Sequence, residues 1–408
     1  MMFGPGIDAD EVWTEVASSR RADTDWRAAR TFSLVYHHGD QALEELQHRV
    51  AIEFLHDNAL NPAAFPSLKR FEREVTDATA ALLHGQPRTG AMTAGGTDSI
   101  FHAVATSRDA ARADGRVAGN LLVPHTAHPA FAKAAHYLGV EERRAPVGPD
   151  LRADLEAMER LVDDETFLLV GSAPCYPYGV IDDIEAIAAL AANRGALCHV
   201  DACLGGWLLP WWEQLGHDVK PFDFRVDGVT SISADLHKYG WMFKGASTVT
   251  YRDRDLLRHQ FFAFDDWPGG IYGSPGAAGT RPGAQIAGAW ATIQHLGDEG
   301  FLRLADEVWR ADDAYASGIA AVDGLQITGN PEFSTFELAP DRSRPVDVGG
   351  LHAEMSERGW HIDQQQGGLH LIVFPRHLDV VDEFLADLRQ SVESGRVTGA
   401  SDGSYGGV

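Results

Sequence analysis

Residues 167–200 constrain the fold more tightly than any other part of the chain. Phe167, Leu168, Leu169 and Val170 form an unbroken apolar run of strand length, which predicts a strand buried on both faces. A helical pattern follows from about Asp183, with Ile184, Ile187, Leu190 and Ala191 on one face and Gly195 placed to end it. Ala196 to Val200 reads as the next strand. Strand, helix and strand with short links make a βαβ unit, so the sheet is expected to be mostly parallel, with helices on its faces. Leu121 to Val123 and Val229 to Ser233 look like further strands. Leu68, Phe71, Val75, Ala78 and Leu82 recur in steps of three and four, predicting an amphipathic helix begun after Pro66. From about residue 320 the texture changes to short strands (Leu325 to Ile327, Leu369 to Phe374) and two amphipathic helices, Val348 to Arg358 and Leu378 to Val392. The expected organisation is an N-terminal segment over 1–60, a large α/β domain over 61–320, a small C-terminal α+β domain over 321–395 and a flexible Gly- and Ser-rich tail over 396–408.

Composition narrows the class of function. Acidic residues outnumber Lys and Arg by 59 to 34, a net charge of −25, which argues against nucleic acid or an anionic membrane as partner. No stretch reaches the ~18 apolar residues of a spanning helix; the run from Leu204 to Trp212 is short and broken by Pro210. The first residues are acidic rather than basic, so no signal peptide or anchor is expected and the protein is read as soluble and cytoplasmic. Three cysteines (Cys175, Cys198, Cys203) without C-x-x-C spacing speak against a disulfide framework or a cysteine metal site.

Chemistry concentrates at strand ends. Lys238 follows the strand ending at Ser233, where open α/β sheets place their ligands. A lysine there can form a Schiff base with an aldehyde, although an isolated lysine is usually a solvated surface residue. Asp201 ends another strand. A pyridoxal phosphate ring needs a carboxylate at its ring nitrogen, because the protonated pyridine is the electron sink; a lone strand-end acid could equally cap a helix or bind a metal. Gly95, Gly96 and Thr97 lead into a helical pattern and would expose N–H groups to a phosphate, a weak signal taken alone. Asp98 suits the helix dipole but would repel a phosphate if it pointed inward. His128, in a loop after a strand, could stack on a flat ring or be an ordinary surface histidine.

With these residues in place, the chain resembles the fold-type-I pyridoxal-phosphate enzymes, in the decarboxylase-like branch, and within it the sphingosine-1-phosphate lyases. The resemblance runs from about Phe32 to Glu393. It rests on His199 to Pro210, Ser231 to Gly240, Gly269 to Pro275 and Gly279 to Gly283. It implies an α/β architecture with a mostly parallel central sheet, pyridoxal 5'-phosphate as cofactor, a small-molecule amine as substrate and a homodimer with shared active sites. It also implies that Lys238 carries the Schiff base, Asp201 pairs with the pyridine nitrogen, and His128 and Cys203 lie against the two ring faces. Gly96, Thr97, Ser233 and His237 would hold the cofactor phosphate. Gly279 and Thr280 would reach it from the neighbouring subunit. Tyr36, Lys244 and Tyr272 match positions associated with substrate and catalysis.

The implied activity is carbon–carbon cleavage of a phosphorylated or otherwise anionic 2-amino-1-hydroxy compound such as sphingosine 1-phosphate, by retro-aldol chemistry. Tyr36 or Tyr272 would serve as the base or orient it, and Lys244 would attract the anionic group or relay a proton. Three departures from the family pattern stand out. Asn61 replaces a histidine associated with the substrate phosphate, Asp98 replaces a glutamate, and Tyr178 precedes Gly179 where the lyases have Pro-His-Gly, altering a wall of the site. The runner-up is an amino-acid decarboxylase, for which Arg376 would bind the α-carboxylate. A catalytically silent scaffold is the third reading.

Overall fold

A computed structural model of the chain describes residues 4–341, 343–365 and 367–399. The tail expected to fray falls largely on residues 400–408, outside the described residues. The central sheet has seven strands: β1 (Gly90–Thr93), β2 (Asn120–Pro124), β3 (Glu141–Ala145), β4 (Thr166–Ser172), β5 (Leu197–Asp201), β6 (Ser231–Ala234) and β7 (Ser247–Tyr251). Their spatial order is β1-β7-β6-β5-β4-β2-β3. β3, β2, β4, β5 and β6 run parallel, while β7 pairs antiparallel with both β6 and β1.

The βαβ reading is borne out, with Ala188 buried where Leu190 was expected and the strands running a residue or two longer or later. Every residue of β4 is buried, as a run apolar on both faces requires. The helix that follows spans Ile184–Asn193; Asp183 caps it by accepting the Ala186 N–H at 3.1 Å. Gly195 adopts φ +67° at its end, the left-handed conformation that suits glycine after a helix. The helix after Pro66 spans Pro66–Leu82 and buries Leu68, Phe71 and Val75 as expected, joined by Thr76, Thr79 and Ala80, while Ala78 and Leu82 are only half-buried, Leu82 packing on the core. A straight helix turns every 3.6 residues, so a buried stripe drifts off a strict alternation of threes and fours.

A hairpin of β8 (Phe262–Phe264) and β9 (Tyr272–Ser274) stands apart from the sheet. A long helical stretch, Gly283–Ala320, follows and breaks its φ/ψ at Gly297. It packs on the Gln41–Glu53 and Pro66–Leu82 helices. Beyond it lies a four-stranded antiparallel sheet of β10 (Leu325–Ile327), β11 (Thr335–Pro340), β12 (Asp363–Gln364) and β13 (Leu369–Ile372), in the order β10-β11-β13-β12. The helices Val348–Glu357 and Val381–Ser394 accompany it, the second preceded by a 3₁₀ turn at Pro375–Asp379. Among the described residues no helix is long and apolar enough to cross a membrane.

Candidate active site

The carboxyl ends of β2, β4, β5 and β6 meet at one edge of the sheet, where α/β folds gather ligand groups. A cavity of about 150 Å³ opens there, and Gly96, Thr97, His128, Asp201, Cys203, His237 and Lys238 all line it. Asp235 and Tyr176 share its wall; neither was singled out in the sequence.

Lys238 and Asp235 are an ion pair, Nζ to Oδ2 at 3.0 Å. Burial alone would lower the lysine pKa, but the Asp235 carboxylate, together with Tyr36 and Cys203, outweighs that and holds the value well above the ordinary one. Burial likewise works against the Asp235 charge, yet Lys238 and His237 keep its pKa below the usual range. His237 is pushed down to about 4, chiefly by burial. It is therefore a neutral imidazole near pH 7, and its Nδ1 accepts the Ala246 N–H at 3.2 Å.

Asp201 sits at the focus of a donor chain. Its Oδ1 accepts the Cys203 N–H at 3.1 Å and the Ser233 hydroxyl at 3.2 Å; Oδ2 takes no donor among the described residues. With the Ser233 proton committed to Asp201, His199 Nε2 donates to Ser233 Oγ at 3.3 Å, and His199 Nδ1 accepts from Ser231 Oγ at 2.9 Å. Burial lowers the His199 pKa to about 4, so this imidazole is neutral and the tautomer is set by its two serines. Ser233 is fully buried and does not line the cavity. The resemblance implies a phosphate contact for it; in the structure its hydroxyl serves Asp201 instead.

The helix Gly96–Ala113 begins at the cavity with Gly95 as its cap and no side chain bonded to its first turn. A Cβ added at Gly96 would lie 2.8 Å from Cys203 Sγ and 2.9 Å from Asp235 Oδ2, so only glycine lets the backbone come this close. Asp98 turns away from the cavity: Oδ2 accepts the Ala94 N–H at 3.0 Å and Oδ1 lies 3.3 Å from His102 Nε2. The inward repulsion considered from sequence does not arise. His128 Nδ1 accepts the Ala130 N–H at 3.1 Å, and burial lowers its pKa. A neutral ring is the form that stacks on a heteroaromatic without bringing a charge.

Tyr36 and Lys244 lie in an adjoining cavity, joined to the first through His237. The Lys244 ammonium sits 4.6 Å from the centre of the Tyr36 ring and donates to the His237 carbonyl at 3.2 Å. Lys244 is exposed as a residue, and its ammonium lies between the Tyr36 ring and the His237 carbonyl. Desolvation, then repulsion from Lys238, pulls its pKa down to about 8.

The remaining candidates are elsewhere. Tyr272 is on β9 and packs its hydroxyl against Gly279, where an added Cβ would come within 3.0 Å. Tyr272, Gly279 and Thr280 do not line either cavity within one chain. Asn61 is exposed and accepts the Ala63 N–H at 2.9 Å. Arg376 is tied to Asp379 at 2.6 Å and lines neither cavity, although its charge reaches His37 on the wall of the second. Tyr178, expected to alter a wall of the site, does not line the cavity; its neighbour Tyr176 does.

These groups fit a phosphorylated pyridine aldehyde. Lys238 offers an amine, Asp201 a carboxylate with one oxygen uncommitted, His128 a flat neutral ring, and Gly96 and Thr97 the uncapped start of a helix for an anion. The comparisons agree. Residues 73–333 match the pyridoxal-dependent decarboxylase conserved domain. The chain is 39% identical to the sphingosine-1-phosphate lyase of Arabidopsis thaliana over 97% of this chain and 75% of that protein. It is 30% identical to an L-aspartate/L-glutamate decarboxylase of Pyrococcus horikoshii over 85% of this chain and 89% of that one. Among solved structures, the sphingosine-1-phosphate lyase of Burkholderia pseudomallei superposes with a TM-score of 0.91 at 38% identity, covering 96% of this chain and 92% of that one. A complete lysine–aspartate–histidine site on this frame, together with these likenesses, leads to one conclusion: the chain belongs to the pyridoxal-dependent decarboxylase family, in its sphingosine-1-phosphate lyase branch.

Proposed function

We propose that the protein is a pyridoxal-phosphate-dependent aldehyde-lyase that cleaves the Cα–Cβ bond of a phosphorylated or otherwise anionic 2-amino-1-hydroxy compound, of which sphingosine 1-phosphate is the candidate. The observation that carries this reading is the placement of Lys244 and Tyr36 in a cavity opening beside Lys238, while Arg376, paired with Asp379, lines neither cavity. A site for amino acids needs a cation near the reacting carbon's carboxylate. A site for an anionic amino alcohol needs its cation further out, where Lys244 stands.

When bound, the cofactor supplies an electron-withdrawing ring conjugated to the substrate nitrogen, which takes up the electron pair of the broken bond. Lys238 would be its attachment point, and Asp201 would keep the ring nitrogen protonated. His128 and Cys203 would confine the ring from its two faces. Gly96, Thr97 and His237 would hold the phosphate, and Gly279 and Thr280 would approach it from a second subunit. Lys244 draws the substrate anion. Tyr36, beside it, takes or orients the proton of the substrate hydroxyl, and Tyr272 assists from the other subunit.

We further propose a cytoplasmic homodimer. Phe262, Phe264, Trp267 and Ile271 are exposed around the β8–β9 hairpin, with Ile271 83% exposed, and an apolar fringe of this kind suits burial against a second copy. The three buried free thiols suit a reducing compartment. We take 61–320 as the cofactor domain, 321–395 as the small domain, 1–60 as an N-terminal segment and 396–408 as a tail.

A product assay tests the reading. Cofactor-loaded protein is offered sphingosine 1-phosphate beside a panel of amino acids; aldehyde formation is expected, and carbon dioxide without aldehyde would make it a decarboxylase. Lys244 gives a pH test. Its ammonium is protonated below the value of about 8 and lost above it, so KM for an anionic substrate should rise as pH climbs through that range. Lys244→Arg should keep KM flat there, because guanidinium stays charged. A wild-type KM that does not change between neutral and alkaline pH would take Lys244 out of substrate binding.

A further inference from the structure

The loop between β4 and the Ile184–Asn193 helix forms part of the cavity wall through Pro174 and Tyr176, and besides bonds to Asp201, Ala153 and Arg152 of the large domain it is fastened from the small C-terminal sheet and its flank. His370, on β13, places its Nε2 2.9 Å from the Tyr176 carbonyl and 2.9 Å from Thr335 Oγ1. Thr335 donates its own proton to the Leu371 carbonyl at 3.2 Å, so both oxygens facing Nε2 accept and that nitrogen carries the hydrogen. The imidazole also lies against the Tyr176 ring, centroids 4.2 Å apart. Three more bonds fasten the same loop. Gln365 Nε2 donates to the Pro177 carbonyl at 3.0 Å, Glu332 N–H to the Gly179 carbonyl at 2.8 Å, and Ile181 N–H to Glu332 Oε2 at 3.1 Å. Gly179 has φ +65°, and a Cβ there would strike the Thr335 carbonyl at 1.9 Å, so loop backbone and β11 are in direct contact. Held this way, Tyr176 presents its ring edge-on to His128, centroids 6.4 Å apart at 82°.

We propose that His370 is a positioning residue for the active site: through the Tyr176 carbonyl and ring it sets the wall that faces His128, so that the seating of the small sheet determines how the cofactor and substrate are confined. This deepens the reading given above and rests on its cofactor assignment, though not on the identity of the substrate. Misplacing a confining wall by a fraction of an ångström costs rate or affinity without removing any reacting group.

The experiment compares His370→Phe, His370→Gln, Gln365→Ala and Tyr176→Ala in the holoenzyme. It reads the visible circular dichroism of the bound cofactor, the cofactor dissociation constant, and kcat and KM. Phenylalanine keeps the ring stack and loses the donor; glutamine keeps an N–H donor. His370→Phe should alter the induced dichroism and raise KM by roughly tenfold or more, with cofactor affinity changed far less. His370→Gln should recover most of that loss. His370→Phe combined with Tyr176→Ala should be no worse than Tyr176→Ala alone, because the first acts through the second. Gln365→Ala, at a half-exposed position, should shift KM in the same direction by a smaller factor and keeps the test open should the buried variants fail to fold. Unchanged dichroism and KM in His370→Phe and Gln365→Ala, or effects that multiply with Tyr176→Ala, would overturn the proposal. Absence of a visible cofactor band in the wild type would instead overturn the cofactor reading beneath it, which separates the two failures.

Discussion

Lys238→Ala should leave a folded protein that holds no covalently attached cofactor and turns over at least on the order of 10⁴-fold more slowly, the scale on which loss of a single essential catalytic group is felt. The fold should survive because Lys238 is one half of a local pair whose other half sits three residues away. Losing it strands the Asp235 carboxylate, which is almost wholly buried. An uncompensated buried charge is costly, on the order of 3–5 kcal/mol when its partner is deleted. Melting should therefore fall, and the Asp235 carboxylate should lose the charge that now keeps it ionised. Lys238→Ala/Asp235→Asn removes both charges and should recover much of the stability with none of the activity. Dialysed Lys238→Ala protein that kept the visible cofactor band of the wild type would take the attachment role away from this residue.

Asp201→Asn is the second large effect, and the more discriminating of the two. Asparagine can present its amide oxygen where Oδ1 now accepts the Cys203 N–H and the Ser233 hydroxyl, so the local structure should persist and the cofactor should still bind. A neutral amide cannot hold a ring nitrogen protonated, and the electron sink is lost with it. We expect kcat to fall by at least about 10²–10³-fold, the scale for removing one preorganised electrostatic partner, with KM little changed. Asp201→Ala should do worse in a different way. It leaves two buried donors unsatisfied, about 1–3 kcal/mol each, and should weaken cofactor binding as well. Wild-type kcat in Asp201→Asn would refute the assignment.

The fold was legible wherever burial was written in apolar side chains. β4, β5 and the helix between them needed only Phe167 to Val200. β7 was not legible, because Ser247, Thr248 and Thr250 are fully buried polar residues. Ser247 and Thr248 are satisfied by the Ala234 carbonyl, a partner that no reading of local pattern reveals. β1 and β11 escaped for similar reasons, being short or mixing Thr335 and Glu337 with apolar residues. The break at Gly297 inside the long helix carried only the signal of a lone glycine.

At the site, Lys238, Asp201, His128 and the glycine turn could be argued from strand ends. Asp235 was in plain view, three positions before Lys238, but an acid beside a lysine has an ordinary surface explanation that only its burial removes. Ser233 lies one residue past Ile232 on a buried strand, and its allegiance to Asp201 rather than to an anion depends on the register of β5 against β6. Tyr178 and Tyr176 differ by two positions, and only the path of the loop shows which one lines the cavity. Tyr36 and Lys244 come from segments far apart in the chain; resemblance named them, and the fold stacks one on the other.

The most direct test of carbon–carbon cleavage is a single-turnover product analysis, with wild-type holoenzyme in excess over sphingosine 1-phosphate. Carbon–carbon cleavage requires a long-chain aldehyde and phosphoethanolamine in equal amounts, no carbon dioxide, and neither product from Lys238→Ala. Unconsumed sphingosine 1-phosphate, together with carbon dioxide released from an amino acid under the same conditions, would contradict it.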